Sequence, residues 1–188
     1  AKVSTIEHLM AAVWGSDLDN LRIEVSGPEI PVIDGSAFPY YEQLAAVGTK
    51  KQQKNRKVFK IEETIQVRNN GSYMIIMPYD GFKISYTLDY DHPVIGSSYF
   101  EFEAEKMDFA AEISKARTFG FASEIEKLHE QGLALGGSLE NAVLIGEAKT
   151  INPLRFENEF VRHKILDIIG DMFLNGHIMG HIVAVKSG

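Results

Sequence analysis

His163 and Asp167 stand four residues apart in Phe160-Val161-Arg162-His163-Lys164-Ile165-Leu166-Asp167-Ile168-Ile169-Gly170-Asp171, a spacing at which a helix stacks side chains on one face. An imidazole and a carboxylate so placed can share a divalent cation, and Asp171 extends the same stripe by one turn. The opposite side carries Val161, Ile165, Leu166, Ile168, Ile169, Met172 and Phe173, so the pattern predicts a helix with one face for packing and one for chemistry or water. A cation kept for catalysis takes three protein ligands and leaves one position open. Of the six histidines, His8 is the strongest candidate for the third ligand. Glu7 precedes it in Ser4-Thr5-Ile6-Glu7-His8-Leu9-Met10, and an acid beside a ligand can act as general base on water at the metal. The predicted set is His8, His163 and Asp167, served by Glu7. Two plainer readings fit the same residues. Ser4 to Glu7 has the spacing of a capping box, in which Glu7 only returns a hydrogen bond to the helix start, and a lone His163/Asp167 pair can be a solvated or hydrogen-bonded helix face.

The elements that must hold these residues can be read in outline. A first helix is expected over Thr5 to Trp14, followed by an alternating strand at Leu21 to Val25, a turn-rich stretch from Pro28 to Gly35 and a second helix over Tyr40 to Val47. Val58 to Val67 and Tyr73 to Met77 flank Asn69-Asn70-Gly71-Ser72, a strong hairpin signal. Phe82, Ile84, Tyr86, Leu88 and Tyr90 alternate with mostly polar residues as a strand does, with Tyr99 to Phe102 as its expected partner. Helices are expected near Asp108 to Lys115 and Ser123 to Glu130, then the glycine-rich Gly132 to Ser138. The helix carrying His163 ends at Asn175-Gly176, and Ile182 to Val185 returns to a strand. Antiparallel strands followed by helices indicate an α+β fold.

Composition narrows the function classes. With 188 residues, 45% of them hydrophobic, the chain can bury one sizeable core or two small ones. A net charge of −7 argues against a nucleic-acid surface, and the only basic cluster, Lys50, Lys51, Lys54, Arg56 and Lys57, reads as a solvated linker, with a phosphate or membrane-surface role as the other option. The absence of cysteine removes disulfides and thiolate ligands and fits a cytoplasmic setting. No apolar stretch reaches the length of a membrane span, and the first residues form no signal peptide. Both ends look cut: the chain starts in a helix cap without Met and stops inside a strand.

Taken together, Ser4-Thr5-Ile6-Glu7-His8-Leu9-Met10-Ala11-Ala12, Pro31-Val32-Ile33-Asp34-Gly35-Ser36, Ala116-Arg117-Thr118-Phe119-Gly120-Phe121, Gly136-Gly137-Ser138 and the His163 helix resemble the UDP-3-O-acyl-N-acetylglucosamine deacetylases, zinc amidases of lipid A biosynthesis in Gram-negative bacteria. The resemblance runs along essentially the whole chain. It implies two small α+β domains, each a mainly antiparallel sheet with paired helices, the helices sandwiched between the two sheets. Residues 1–49 would form a partial first domain, 50–57 the linker, and 58–188 the second domain, with a strand-helix-strand insert at about 117–146 that lines a passage for the acyl chain. It also implies one Zn2+ per chain, with another divalent ion such as Fe2+ able to take its place, on His8, His163 and Asp167, with Glu7 as general base.

The remaining roles come from the same resemblance. Lys164 would hold oxyanion and substrate, Thr118 would hydrogen-bond at the reacting centre, Phe119 would pack on the sugar or acyl end, and Gly137 would lie against substrate. In the family a histidine follows the Lys-Ser-Gly matched by Lys186-Ser187-Gly188; it protonates the leaving amine and is oriented by the residue matched by Asp171. The chain stops before it, so the polypeptide is expected to lack its general acid and to be inactive alone. His177 and His181 match no part of the motif and are read as incidental. Some relatives carry a fused dehydratase further on. A different zinc amidase or peptidase, or a non-enzymatic fragment, are the competing readings.

Overall fold

The structure, a computed structural model, describes residues 2–124 and 138–187. Its elements are α1 (Glu7–Gly15), α2 (Phe38–Val47), β1 (Val58–Lys60), β2 (Ile65–Asn69), β3 (Ser72–Met77), β4 (Phe82–Asp89), β5 (Ser97–Glu103), α3 (Phe109–Glu112), β6 (Phe119–Phe121), β7 (Val143–Ile145), α4 (Glu159–Phe173) and β8 (His177–Val185). The class is α+β, as the sequence indicates. The main sheet runs β2-β3-β8-β4-β5, with β1 also paired to β8, and β6 and β7 form a separate two-stranded unit. All ladders of the main sheet are antiparallel except β4 with β8 and β1 with β8.

Alternation explains the central strands. Phe82, Ile84, Tyr86 and Leu88 of β4 are buried on one side of the sheet with Ile182 and Ala184 of β8, and the apolar face of α4 packs there through Val161, Ile165, Leu166 and Ile169. Each such aliphatic side chain contributes about 1.5–3 kcal/mol when taken from water into the core. On the other face, Lys83 pairs with Glu101 at 2.7 Å. The β2–β3 hairpin closes through Asn70 and Gly71, both at positive φ (45° and 84°) between the paired Asn69 and Ser72, the tight turn that Asn-Gly favours.

Several expectations need correction. The single strand expected over Val58 to Val67 is two, because the chain changes partners: β1 runs parallel to β8 and β2 antiparallel to β3. Leu21 to Val25 is irregular; alternation marks a two-faced segment, but a strand also needs a ladder partner, and the described residues give this one none. The helix expected to reach Lys115 stops at Glu112, after Asp108 caps it by accepting a hydrogen bond from the Ala111 N–H at 2.7 Å. β8 starts at His177, well before Ile182. In the basic stretch the four lysines are exposed, but Arg56 is not free, since its Nε donates to Asp19 at 2.8 Å and its Nη1 reaches Asp17. Of the insert, most of the expected 123–130 helix and the glycine-rich residues through Gly137 lie outside the described residues.

β7 and its flanking loops are fastened by one buried amide. Asn152 accepts from the Leu144 N–H at 2.9 Å and donates to the Leu139 and Ala142 carbonyls at 2.9 and 2.8 Å. Asn152→Ala strands three backbone groups around β7 and is expected to lower unfolding free energy by about 2–4 kcal/mol, measurable as a fall in the urea midpoint with an unchanged slope.

Candidate metal centre

α1 and α4 cross at a glycine. A Cβ on Gly170 would lie 2.0 Å from the Glu7 carbonyl oxygen, so only a bare Cα lets the first turn of α1 rest on α4. Ala11 and Ala12, fully buried, continue this close approach. The crossing carries His8 to within reach of the α4 stripe. The rings of His8 and His163 are 5.0 Å apart, edge to face, and one donor atom each from His8, His163 and Asp167 lie within 4.8 Å of one another. The three candidate ligands thus converge, although His8 and His163 stand 155 residues apart along the chain.

The hydrogen bonding shows what this trio lacks. His163 is buried, and its Nδ1 lies 3.0 Å from the Ala116 carbonyl oxygen. A carbonyl only accepts, so Nδ1 carries the proton and Nε2 presents a lone pair. That lone pair faces Asp167 Oδ1 at 3.3 Å. Asp167 Oδ1 is itself buried without a hydrogen-bond partner, and His8 Nε2 stands 3.8 Å from it. Electron-pair donors packed together without a proton to share are unfavourable alone and fit a divalent cation: two imidazoles and one carboxylate suit zinc. With Nδ1–H given to Ala116, a neutral His163 has no second proton to offer Asp167, so the geometry favours the metal reading over the hydrogen-bonded face.

The capping-box reading fails too. α1 starts at Glu7 with Ile6 at its cap position and no side-chain cap. Thr5 is turned to φ 55°, and the Ser4 hydroxyl instead donates to the Pro28 carbonyl at 3.2 Å. Glu7 is thus not engaged in capping and sits half-buried at the helix start, directly before the candidate ligand His8.

Of the other expected residues, Lys164 and Phe119 make direct contacts with this trio. Lys164 Nζ donates to Asp167 Oδ2 at 3.2 Å and lies 5.7 Å above the Phe119 ring, whose centroid is 6.4 Å from that of His163. Burial works against the Lys164 charge, but Asp167 outweighs it and holds the ammonium above its ordinary range. Burial likewise opposes ionisation of Asp167, and the His163, Lys164 and His8 groups around it reverse that, leaving it below the usual carboxylate range. Thr118 is held at both backbone groups, its N–H donating to Gly35 O and its carbonyl accepting from Val143, each at 2.8 Å. Asp171 reaches solvent, yet the surrounding protein bulk, and then the like charges of Asp167 and Glu7, push its carboxyl up. Gly137 lies outside the described residues. His177 and His181 stand apart from the trio: His181 Nε2 is 2.8 Å from the Ser85 hydroxyl and His177 Nε2 3.4 Å from Asp19.

Burial depresses the His163 imidazole to about 4 from an ordinary 6.5. The unfolded chain therefore binds a proton that the folded chain refuses between those values, so stability rises with pH across that window and is lost as pH falls through it. The metal-free chain is expected to lose about 2 kcal/mol between pH 7 and pH 5 from this group alone. Urea unfolding at the two pH values checks it, with His163→Gln expected to flatten that part of the slope.

This chemistry has close counterparts. The family model for UDP-3-O-acyl N-acetylglycosamine deacetylase matches residues 1–188. The chain belongs to that family. Among individual deacetylases, that of Myxococcus xanthus is 46% identical over 190 residues, covering all of this chain and 60% of its own length. Those of Geobacter sp. and Shewanella violacea are 46% and 47% identical, again over the whole chain and 63% of theirs. The chain thus spans about three fifths of the length of these deacetylases. No helix among its described residues is long and apolar enough to cross a membrane.

Two residues around the centre escape the sequence reading. Arg117 and Glu159 form a buried ion pair, Nε to Oε1 at 2.9 Å. The signal for Glu159 was present, since stepping back four residues from His163 along the stripe reaches it. Nothing in the sequence pairs it with a residue 42 positions earlier.

Proposed function

We propose that the chain carries the catalytic metal centre of an enzyme that hydrolyses the 2-acetamido group of UDP-3-O-acyl-N-acetylglucosamine to a free amine and acetate, in lipid A biosynthesis. The observation that carries this reading is the convergence of His8, His163 and Asp167 around a buried carboxylate oxygen without a proton partner; family membership narrows the substrate. A cation held there, zinc or another divalent ion such as Fe2+, would supply Lewis acidity toward the amide carbonyl and acidify water for attack.

The chain's own residues supply the rest. Glu7 takes the proton of the attacking water. Lys164 and Thr118 stabilise the oxyanion, where a well-placed donor is worth on the order of 3 kcal/mol. Phe119 offers its face to sugar or acyl chain, and Gly137 lies along the bound substrate. Asp171 orients a general-acid histidine, expected from the family resemblance to follow Lys186-Ser187-Gly188. We further infer division into two α+β domains at the 50–57 stretch, a cytoplasmic enzyme without nucleic-acid partners, and a parent protein that in some lineages continues into a dehydratase.

Acetate release by the full-length protein tests the reading, with the UDP-sugar offered both with and without its 3-O-acyl chain. Turnover confined to the acylated substrate is the expected result. Equal turnover of both would favour a broader sugar amidase, and none with either, by metal-loaded protein, would end the proposal.

A further inference from the structure

We propose that Glu159 is a positioning residue for the metal centre, holding His163 through the single peptide unit that joins Ala116 to Arg117. The inference rests on the metal-centre reading and adds a residue that reading does not use.

The Ala116 carbonyl and the Arg117 N–H belong to one rigid plane and point to opposite sides of it. On one side, His163 Nδ1 donates to the Ala116 oxygen at 3.0 Å. On the other, the Arg117 N–H donates to Glu159 Oε1 at 3.0 Å. Both clamps come from α4, one turn apart, so a single helix grips both edges of the plane. Rotation of this peptide would swing the carbonyl away from the imidazole, and Glu159 blocks it.

Glu159 is fixed in turn. Its side chain is wholly buried and accepts from Arg117 Nε at 2.9 Å, Arg117 Nη2 at 3.2 Å and the Arg155 N–H at 2.6 Å. Arg117 Nη2 also donates to the Pro153 carbonyl at 2.7 Å. A carboxylate on the N–H side also polarises the amide, making the Ala116 oxygen a better acceptor. For a ligand imidazole, the bond made by its second nitrogen selects the tautomer and the ring orientation. Glu159 thus acts on the Nε2 lone pair from one peptide away.

A buried Arg–Glu pair could instead serve stability alone, and the experiment separates the two roles. The double variant Arg117→Met with Glu159→Leu removes the pair without leaving an orphan charge, an exchange that folds often tolerate. In Glu159→Gln the amide oxygen can still accept the Arg117 N–H. Two readouts are taken: Co2+ affinity by optical titration, and the His163 tautomer by 15N NMR of the metal-free chain. The double variant is expected to bind Co2+ roughly 10–100-fold more weakly and to show both His163 tautomers, while Glu159→Gln keeps the wild-type tautomer and stays within a few-fold of wild-type affinity. A folded double variant with unchanged affinity and tautomer would overturn the proposal. Should that variant not fold, the wild-type spectrum decides, since a mixture of tautomers there overturns it as well. A wild-type chain with the single Nδ1–H tautomer but no Co2+ uptake would end the metal-centre reading while upholding the clamp on His163.

Discussion

On the proposed function, replacing Glu7 by glutamine is expected to lower acetate release by the full-length protein by about 10²–10⁴-fold, the range general-base catalysis supplies, while metal content stays at one equivalent. Glu7 is half-buried at the first turn of α1 and not engaged in capping, so its removal perturbs neither helix start nor ligand set. His163→Ala has the opposite signature. Four-ligand zinc sites bind with roughly 10–16 kcal/mol, so one ligand is worth about 3–4 kcal/mol, or roughly 10²–10³ in affinity. The variant should emerge from purification without metal and without activity. Metal analysis beside acetate release separates the two, and retained metal with full turnover in both variants would refute the assignment.

A single methyl group at Gly170 is expected to have the next largest effect. The added Cβ would meet the carbonyl oxygen, carbon and Cα of Glu7 at 2.0, 2.7 and 2.9 Å, all backbone, so no side chain can swing aside. α1 must back away from α4 by on the order of 1 Å to reach ordinary contact. It takes His8 and Glu7 with it, and a displacement of that size at a reacting centre can cost about 10²-fold in rate. Alanine is the better helix former by about 1 kcal/mol, so propensity alone would make Gly170→Ala more stable, whereas overpacking costs about 1–3 kcal/mol. A lower melting temperature together with weaker Co2+ binding is the expected outcome. A raised melting temperature with unchanged binding would show that the helices are not held at this spacing.

Much of the candidate site was legible because its signals are local. The four-residue stripe on α4, the Glu7–His8 pair and the Asn-Gly turn each depend on a few consecutive residues, and the structure keeps all three. The close crossing was not legible. A glycine within a helical pattern reads only as a weak point, and its use appears when Glu7 is found against it. Leu21 to Val25 misled for a related reason, since alternation records two environments but not whether a ladder partner exists. The break between β1 and β2 follows from which neighbours each half meets, and no window of sequence contains that. Arg117 and Glu159 are the same problem in polar form: no local signal pairs two charges so far apart in the chain, and only the fold buries them together.

The position of β8 between β3 and β4 bears on how this protein is made. A ribosome delivers the two flanking hairpins long before the strand that joins them, so each must wait with an unpaired edge, and joining them requires pairings distant in sequence, which slows folding. Such edges recruit other chains. A stalled product ending before His177 would be a hazard to its neighbours, and chaperone demand should fall only once this nine-residue strand has cleared the exit tunnel.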